Sequence, residues 1–542
     1  MSKSYKIKIT IFLLVILLIA GFLRLYGLHS VPPGLYPDEA MNANDAFTNP
    51  GKVFYPENGG REGLFMNLAF LSFKIFGPSP FSLRLISAII GIISVLGLYL
   101  LMKELLKNIN QGDKNADCLA LLASFFIATC FWHINFSRIG FRGILLPFIL
   151  IFCFYFLFKG LRKKNIFLLI LSGIILGLGF YTYSSFRLVF LVLPFALIPY
   201  WISYYKEKQQ KKFLLFVFAF AMSTIIIALP LAFYFMAHPA DFFGRLGAVS
   251  IFSQPNFIIA FAESLGRHLV MFNISGDFNW RHNLSGSPQL LWPIGILFLI
   301  GFIISIKKLF LSFKNNDSKL QSVYLLLFSW FFVMILPGAL TYEGMPHSLR
   351  TIGIIPVTMI FAAFGALWVF EKIKRIKRLP SLVPDNKWQK WFIYLIIGFI
   401  FLSLSVASTQ KYFIDWAQNP EIKNAFTENF VKIGEVINAL PDEIDKYVVV
   451  NESGTPVPFP DGVSTSAQTI MFIERMEYGK LRAIYLNPNQ LDQIRIANNK
   501  IVIVPMKFND DILNELKTIF PGGKMEISNN VKIFWINPII NN

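Results

Sequence analysis

The chain has 542 residues, of which 55% are hydrophobic and only 15% are charged, and its formal net charge is +18. Soluble globular domains contain about 25% charged residues, so this composition excludes an ordinary soluble protein and predicts a chain largely dissolved in lipid. The positive charge does not indicate nucleic acid, because the lysines lie mostly in short segments between apolar runs. Cys118, Cys130 and Cys153 form no CxxC or Cys/His motif, so neither a disulfide framework nor a zinc motif is indicated.

The membrane part is predicted to contain about eleven transmembrane helices. A spanning helix needs about 20 mostly apolar residues. The first run follows MSKSYKIK and closes at Arg24 and Tyr26 without a small-residue cleavage site, so we expect a retained first helix rather than a signal peptide. The predicted spans are 8–27, 82–102, 117–133, 143–160, 165–182, 187–204, 213–236, 290–308, 320–340, 351–371 and 390–408.

Alternate connections between these spans are rich in lysine, which predicts the orientation of the chain. With a cytoplasmic N-terminus, the cytoplasmic connections hold 22 Lys and 3 Arg, whereas the opposite connections before residue 411 hold 2 Lys and 8 Arg. The odd number of spans then places the C-terminus outside the cytoplasm. Two of the outer connections, 28–81 and 237–289, are long.

The remainder of the chain changes character. KYVVVNE, LRAIYLN and NKIVIVP are typical of short strands, and TIMFIERMEYG and DDILNELKTIF of helices. We therefore predict a membrane catalytic domain over residues 1–410 and a small extracytoplasmic α/β domain over 411–542, without a recognisable catalytic motif of its own.

Acidic residues follow the first span directly, in GLYPDEAMNANDAF at 34–47. A helix that begins near Pro37 would place Asp38 and Asp45 on one face, and acids in its first turn would favour the helix N-terminus. These acids could simply cap and solubilise an interfacial helix. However, Glu57, Arg61 and Glu62 follow on a Gly-rich turn, and this concentration of charge beside a membrane favours a functional site.

The same stretches resemble a known family. The Asp-Glu pair, the NGGREGLF turn and the FGPSPFSLRLISAIIG entry into the second span are similar to integral-membrane glycosyltransferases of the GT-C class. The protein O-mannosyltransferases, the lipid A aminoarabinose transferases and their dolichyl-phosphate-mannose-protein mannosyltransferase-like homologues are the nearest groups. GLGFYTYSSFRL, GDFNWRHNLSGSPQLLWPIGILFLIG and EGMPHSLRTIGIIPV extend the resemblance over roughly residues 8–410.

This resemblance implies an enzyme that moves a sugar from a polyprenyl-phosphate carrier to an acceptor hydroxyl at the outer membrane face. Asp38 matches the family's general base, which deprotonates the acceptor hydroxyl. Glu39 and Glu62 complete the predicted catalytic set, with Glu39 expected to support Asp38 and Glu62 to orient the acceptor or pair with Arg61. A transporter or flippase of a polyprenyl-linked lipid is the alternative function, and a non-catalytic membrane scaffold is a third.

The change from lysine to arginine on the outer side suggests phosphate recognition, because a planar guanidinium can bind phosphate through two hydrogen bonds. The same arginines could instead snorkel at helix ends or pair locally. The predicted phosphate-binding residues are Arg350, Arg281, Arg187, Arg138 and Arg61, with His282 and His347 beside two of them.

No cofactor is required by the sequence, although a divalent metal is possible and Glu62 and His347 are the predicted ligands. The expected partners are the lipid-linked sugar donor, membrane lipid and a protein, lipid or glycan acceptor, with no nucleic acid. The expected location is the plasma (inner) membrane of a bacterium or archaeon. The sequence leaves the sugar, the acceptor, the polyprenol and the stereochemical outcome open.

Overall fold

A computed structural model describes residues 2–108, 113–243, 249–375, 387–457, 462–496 and 499–537. The chain is mostly helical and forms two compact units. Unit 1 comprises residues 1–26, 87–138 and 142–418, and unit 2 comprises 27–86, 139–141 and 419–542.

Eight helices in the described part of the chain are long and apolar enough to cross a membrane. Each coincides with a predicted span, because an uninterrupted apolar run of this length is a strong signal for a spanning helix. Their bounds are Lys3–Leu25, Pro80–Lys107, Arg142–Lys163, Ser184–Lys206, Gln210–Ala237, Trp292–Lys314, Ser318–Ala339 and Ile352–Ile373.

The predicted spans 117–133, 165–182 and 390–408 are not among those eight helices. The first two lie over helices of 16 and 14 residues, which are shorter than a single bilayer crossing requires. The third lies in the helix Lys387–Gln410. The other helices are Pro37–Thr48, Leu64–Phe76, Asp113–Ala128, Phe131–Phe136, Ile166–Gly179, Pro239–Phe243, Phe257–Val270, Pro420–Ala425, Glu428–Ala439, Gln468–Tyr478 and Asp510–Ile519.

Glycines bring helix backbones into direct contact inside unit 1. A Cβ atom on Gly301 would lie 1.7 Å from the Phe361 carbonyl oxygen, and one on Gly365 would lie 1.9 Å from the Leu297 carbonyl oxygen. The helices Trp292–Lys314 and Ile355–Arg375 therefore pack with no side chain between them at this crossing. Small residues are the usual means by which membrane helices approach each other closely, since lipid offers no hydrophobic gain for association.

β1 (Phe54–Tyr55) and β2 (Arg61–Glu62) form a short hairpin in the first long connection. The C-terminal part of unit 2 contains a five-stranded sheet, whose strands in spatial order are β4 (Ile484–Leu486), β3 (Asp445–Val449), β5 (Ile501–Pro505), β7 (Val531–Ile536) and β6 (Lys524–Ser528). β3 (Asp445–Val449) pairs in parallel with β4 (Ile484–Leu486) and β5 (Ile501–Pro505), as the predicted alternation of strands and helices requires. The predicted strands and helices of this region are confirmed. The sequence interpretation missed the hairpin of β6 (Lys524–Ser528) and β7 (Val531–Ile536), which extends the sheet in antiparallel fashion.

The first long connection packs against these C-terminal elements within unit 2. Asn44 donates hydrogen bonds to the Gln468 carbonyl and side chain, and Arg475 donates to the Asn44 side chain at 2.8 Å. The compact unit thus groups residues 27–86 with 419–542, whereas the predicted boundary at 410/411 assigned the first connection to the membrane part. That domain division stays a prediction.

The glycine contacts predict that Gly301→Ala lowers the stability of unit 1. The new Cβ would overlap the Phe361 carbonyl oxygen, which belongs to backbone and cannot rotate away. Overpacking of this kind costs about 1–3 kcal/mol, and we expect a lower thermal unfolding midpoint in detergent. Gly21→Ala is the matched control, because a Cβ there meets no atom within 4 Å. Equal midpoints for the two variants would contradict the close helix crossing.

Candidate functional site

The predicted acidic helix exists and spans Pro37–Thr48, and it is called the acid helix below. Pro37 occupies its first position, where a missing N–H costs nothing, and Asp38 and Glu39 lie in the first turn, where the helix dipole favours negative charge. The Glu39 carboxylate accepts a hydrogen bond from the Tyr36 backbone N–H at 3.4 Å. The local sequence therefore determines where this helix begins.

Glu39 is fully buried and forms an ion pair with Arg84, which is also fully buried. The Arg84 Nε and Nη2 atoms lie 3.0 and 3.2 Å from the two Glu39 carboxylate oxygens. The remaining donors of Arg84 reach the carbonyls of Pro32 and Gly34, each at 2.9 Å, and the Gly140 N–H donates to Glu39 at 2.6 Å. This saturated environment favours a positioning role for Glu39 over contact with substrate, so its predicted catalytic role gains no support.

Asp38 has a different environment, although it is adjacent to Glu39. Its side chain is half-buried, and its Oδ1 accepts a hydrogen bond from the Asn58 side chain at 2.8 Å. Asn58 lies in the turn between β1 (Phe54–Tyr55) and β2 (Arg61–Glu62), with a left-handed backbone φ of 55°. The turn thus presents an amide to the carboxylate and leaves Asp38 accessible.

The acid helix presents a polar face to this hairpin, as the seven-residue spacing predicts. Asp45 forms an ion pair with Arg61 at 2.6 Å, and Arg61 also donates to the Asn42 side chain at 3.2 Å. Burial raises the pKa of Asp45, and the Arg61 charge opposes this rise. Arg61 is itself buried and further contacts Glu57, so its donors are used within the loop rather than offered to a phosphate.

Glu62 is buried in β2, where it pairs with Phe54 of β1. The structure brings His347, its predicted metal-binding partner, together with other residues, as described next. The predicted roles of Glu62 as a metal ligand and in catalysis stay predictions.

A second polar cluster lies in unit 1, in two connections between helices. Asp277, His282 and His347 each offer one ligand atom, and these atoms all lie within 4.8 Å of one another. The three residues are called the Asp277 cluster below. The His282 and His347 rings have centroids 4.9 Å apart, and Asp277 and His282 are nearly inaccessible to solvent.

Asp277 joins the two connections through hydrogen bonds. Its Oδ2 accepts from His282 Nδ1 at 3.0 Å, from the Ser348 N–H at 2.8 Å and from the Ser348 hydroxyl at 2.7 Å, and its Oδ1 accepts from the Asn279 N–H. Burial alone would raise the pKa of Asp277, but His282 and then His347 hold that pKa well below its usual range. Asp277 is therefore a carboxylate.

His347 is held in a neutral state by its surroundings. Burial lowers the pKa of His347 well below its usual value, and the charges of His282 and Arg350 lower it further. The His347 backbone N–H donates to His268 Nε2 at 3.0 Å, which fixes this segment against the helix Phe257–Val270. A neutral imidazole can bind a metal ion, whereas an imidazolium cannot.

Arg281 and Arg350 flank this cluster in sequence. Arg350 is 12% exposed and donates to the Glu343 carboxylate and carbonyl and to the Thr341 hydroxyl. Arg281 is half-buried, and its Nε donates to the Asn279 side chain at 3.2 Å. Their predicted role in binding phosphate is untested.

Arg138 and Arg187 have mainly structural contacts. Arg138 is fully buried, donates to the carbonyls of Leu23 and Tyr26 and stacks its guanidinium on Tyr412. Arg187 donates to the Phe242 carbonyl at 2.6 Å. These contacts agree with the local pairing that was the alternative to phosphate binding.

The sequence interpretation missed Arg84, Asp277 and Ser348. Arg84 lies inside the second apolar run, where a charged residue signals a buried partner. Asp277 lies five residues before His282 in GDFNWRHN. This motif therefore contained a carboxylate close in sequence to a histidine that was already a predicted site residue. Ser348 carries no signal that separates it from other serines.

Comparison with known proteins agrees with the resemblance deduced from sequence. A family model described as dolichyl-phosphate-mannose-protein mannosyltransferase matches residues 64–233. The match includes Arg138 and Arg187 but excludes the acid helix and the Asp277 cluster. No curated protein matches this sequence significantly.

Solved structures resemble the whole chain. The archaeal oligosaccharyltransferase AglB from Archaeoglobus fulgidus, in complex with an inhibitory peptide and a dolichol-phosphate, matches with a TM-score of 0.52 and 13% identity over 100% of this chain and 75% of that chain. ArnT from Cupriavidus metallidurans bound to undecaprenyl phosphate matches with a TM-score of 0.51 and 12% identity over 100% and 99% of the two chains. The apo form of ArnT matches with a TM-score of 0.54 and 12% identity over 98% of each chain.

These matches confirm the predicted fold class. The chain is an integral membrane protein with the multi-helical GT-C fold and a small C-terminal sheet region. The matched family model is described as a mannosyltransferase, and AglB is described as an oligosaccharyltransferase.

Proposed function

We propose that the chain is a glycosyltransferase that moves a sugar from a polyprenyl-phosphate donor to an acceptor hydroxyl at the outer face of the plasma membrane. The observation that carries the proposal is the fold shared along the whole chain with AglB and ArnT, which were solved with dolichol-phosphate and undecaprenyl phosphate. The family model supports the same donor class, since its description names a dolichyl-phosphate sugar.

In this proposal Asp38 is the general base. A base must reach the hydroxyl whose proton it removes, and Asp38 is the member of the acid pair that is accessible. The hydrogen bond from Asn58 occupies Oδ1 and fixes the orientation of the carboxylate. The acceptor hydroxyl loses its proton to the carboxylate as its oxygen bonds to the anomeric carbon, and the bond from that carbon to the lipid phosphate breaks.

The leaving group is a lipid phosphate, which needs positive charge rather than a proton donor. Arg350 and Arg281 are the proposed contacts, because each retains accessible surface, unlike Arg61 and Arg138. Arg350 already binds the Glu343 carboxylate, whose side chain is 53% exposed. This contact supports the proposal, because the guanidinium holds an oxyanion whose carboxylate is exposed and can be displaced by a phosphate.

The first prediction from the proposed function concerns Asp38. Asp38→Asn keeps the size and the hydrogen-bonding shape of the side chain but removes the base, so we expect transfer to fall by about 10²–10⁴-fold. The measurement is transfer of label from radiolabelled polyprenyl-phosphate sugars to acceptors in membranes that contain the full chain. Asp492→Asn, at an exposed site of the same unit, is the control and should retain activity. Undiminished transfer by Asp38→Asn would refute the assignment.

The second prediction separates Glu39 from Asp38. Glu39→Gln leaves the Arg84 guanidinium buried without its charge partner, which costs about 3–5 kcal/mol of folding stability. We expect a lower thermal unfolding midpoint, with no such loss for Glu526→Gln on exposed strand β6. The double variant Glu39→Leu/Arg84→Met removes both charges and should recover part of the lost stability. A stable but inactive Glu39→Gln protein would instead favour a catalytic role.

The third prediction concerns the phosphate. Arg350→Lys and Arg281→Lys keep the charge but lose the two-pronged guanidinium, so we expect the KM for the lipid-linked donor to rise by about tenfold or more. Arg267→Lys is the control, because Arg267 is exposed and its contact is an i,i+4 pair with Glu263. An unchanged KM in both test variants would remove these arginines from donor binding.

A further inference from the structure

The Asp277 cluster has the composition of a metal site. It combines two imidazoles and one carboxylate, and its ligand atoms lie within 4.8 Å of one another. Borderline nitrogen and oxygen ligands of this kind suit Zn²⁺ and neighbouring transition metals rather than Mg²⁺ or Ca²⁺, which prefer sites made only of oxygen ligands.

We propose that Asp277, His282 and His347 bind one divalent transition-metal ion of the zinc class, which ties together the connections that follow the helices Phe257–Val270 and Ser318–Ala339. The inference goes beyond the proposed transferase function, because it concerns metal binding that can be measured without donor or acceptor.

The spacing of the ligands is close to what zinc requires. Zinc binds nitrogen and oxygen at about 2.0–2.2 Å, so tetrahedral ligand atoms lie about 3.4 Å apart. Asp277 Oδ2 and His282 Nδ1 are 3.0 Å apart in a hydrogen bond, and a bound ion would take the place of the His282 proton between them. The His347 ring lies beside His282, with ring centroids 4.9 Å apart.

The surrounding hydrogen bonds are those of a supported metal site. Carboxylate ligands are normally held by further donors, and Asp277 receives the Asn279 N–H and both donors of Ser348. His268 holds the backbone of His347 from the neighbouring helix. Asp277 and the backbone of His347 are thus fixed by contacts that are independent of an ion.

Three protein ligands leave one position of a tetrahedral ion open. Structural zinc sites are closed by four protein ligands, whereas sites with three keep the fourth position for water or a ligand oxygen. Arg281 precedes His282 directly, and Arg350 follows His347 by three residues. The local excess of positive charge would favour an anionic oxygen at that position.

Metal content of the purified full chain tests the proposal. The protein is prepared in detergent without a histidine tag, stripped with a chelator, incubated with ZnCl₂ and freed of excess metal before elemental analysis. We expect about one zinc per chain, and Co²⁺ in its place should give the visible absorption of a tetrahedral nitrogen–oxygen site.

The variants His282→Asn and His347→Gln should each lose the bound zinc and the Co²⁺ absorption. His238→Asn is the matched control, because His238 is exposed and lies outside the cluster. Thermal unfolding is measured for each variant without metal, to identify any variant that fails to fold. If one of the two histidine variants fails to fold, the zinc content of the other one decides the result.

Wild-type protein that retains no zinc, or folded variants that retain as much zinc as the wild type, would overturn the proposal. Equal loss in His238→Asn would identify adventitious surface binding and would overturn it too. Since no step uses a sugar donor, the proposed transferase activity can fail while the metal site is confirmed, and the reverse also holds.

Discussion

The buried ion pair between Glu39 and Arg84 is the contact on which the proposed site in unit 2 depends. Two charges without solvent are costly, and they are tolerated here because four further hydrogen bonds complete their shells. Those bonds hold the turn at Pro32 and Gly34, the start of the acid helix and the Gly140 N–H in one arrangement. Adjacent residues of a helix point about 100° apart, so burial of Glu39 turns Asp38 away from the interior. Of these two neighbouring acids, Glu39 therefore positions the start of the acid helix, and Asp38 remains accessible.

Arginine on the predicted outer side has a broader use than phosphate recognition. Arg138 donates to two main-chain carbonyls and Arg187 donates to one, and Arg84, inside the second predicted span, also donates to two. Loops at a membrane surface leave carbonyls without partners, and a planar guanidinium can satisfy two of them at once. The excess of arginine over lysine is therefore a genuine signal of specific contacts, although the oxygen that is recognised is often a backbone carbonyl.

The long elements could be predicted from sequence, because their signals are local. Runs of apolar residues identified the spanning helices, and the Pro37-Asp38-Glu39 start identified the acid helix. The β6–β7 hairpin was missed, since β6 is exposed along its whole length and the turn uses Asn529 and Asn530 at φ of 47° and 63° rather than glycine. The two glycine-lined helices gave no sequence signal either, because composition does not reveal which glycines face each other.

The candidate sites were predictable only in part, for a related reason. Asp38, His282 and His347 are conspicuous by residue type and position, and each lies within a polar cluster. Their partners come from distant segments: Asn58 is 20 residues from Asp38, and Ser348 is 71 residues from Asp277. A single sequence shows which side chains could act as bases, ligands or hydrogen-bond partners, but it does not show which of them lie close together in the fold.

The Asp277 cluster shows what results when side chains from distant segments come together in the fold. Asp277 binds His282 within its own connection and Ser348 in another, so a single carboxylate defines both the orientation of an imidazole and the separation of two loops. The same acceptor that stabilises the loops without metal would be a ligand when an ion is bound. Metal binding would replace the hydrogen bond between His282 and Asp277, while the donors from Ser348 and Asn279 would still hold the carboxylate. A site of this kind can therefore form from loops that are already ordered by their own polar contacts.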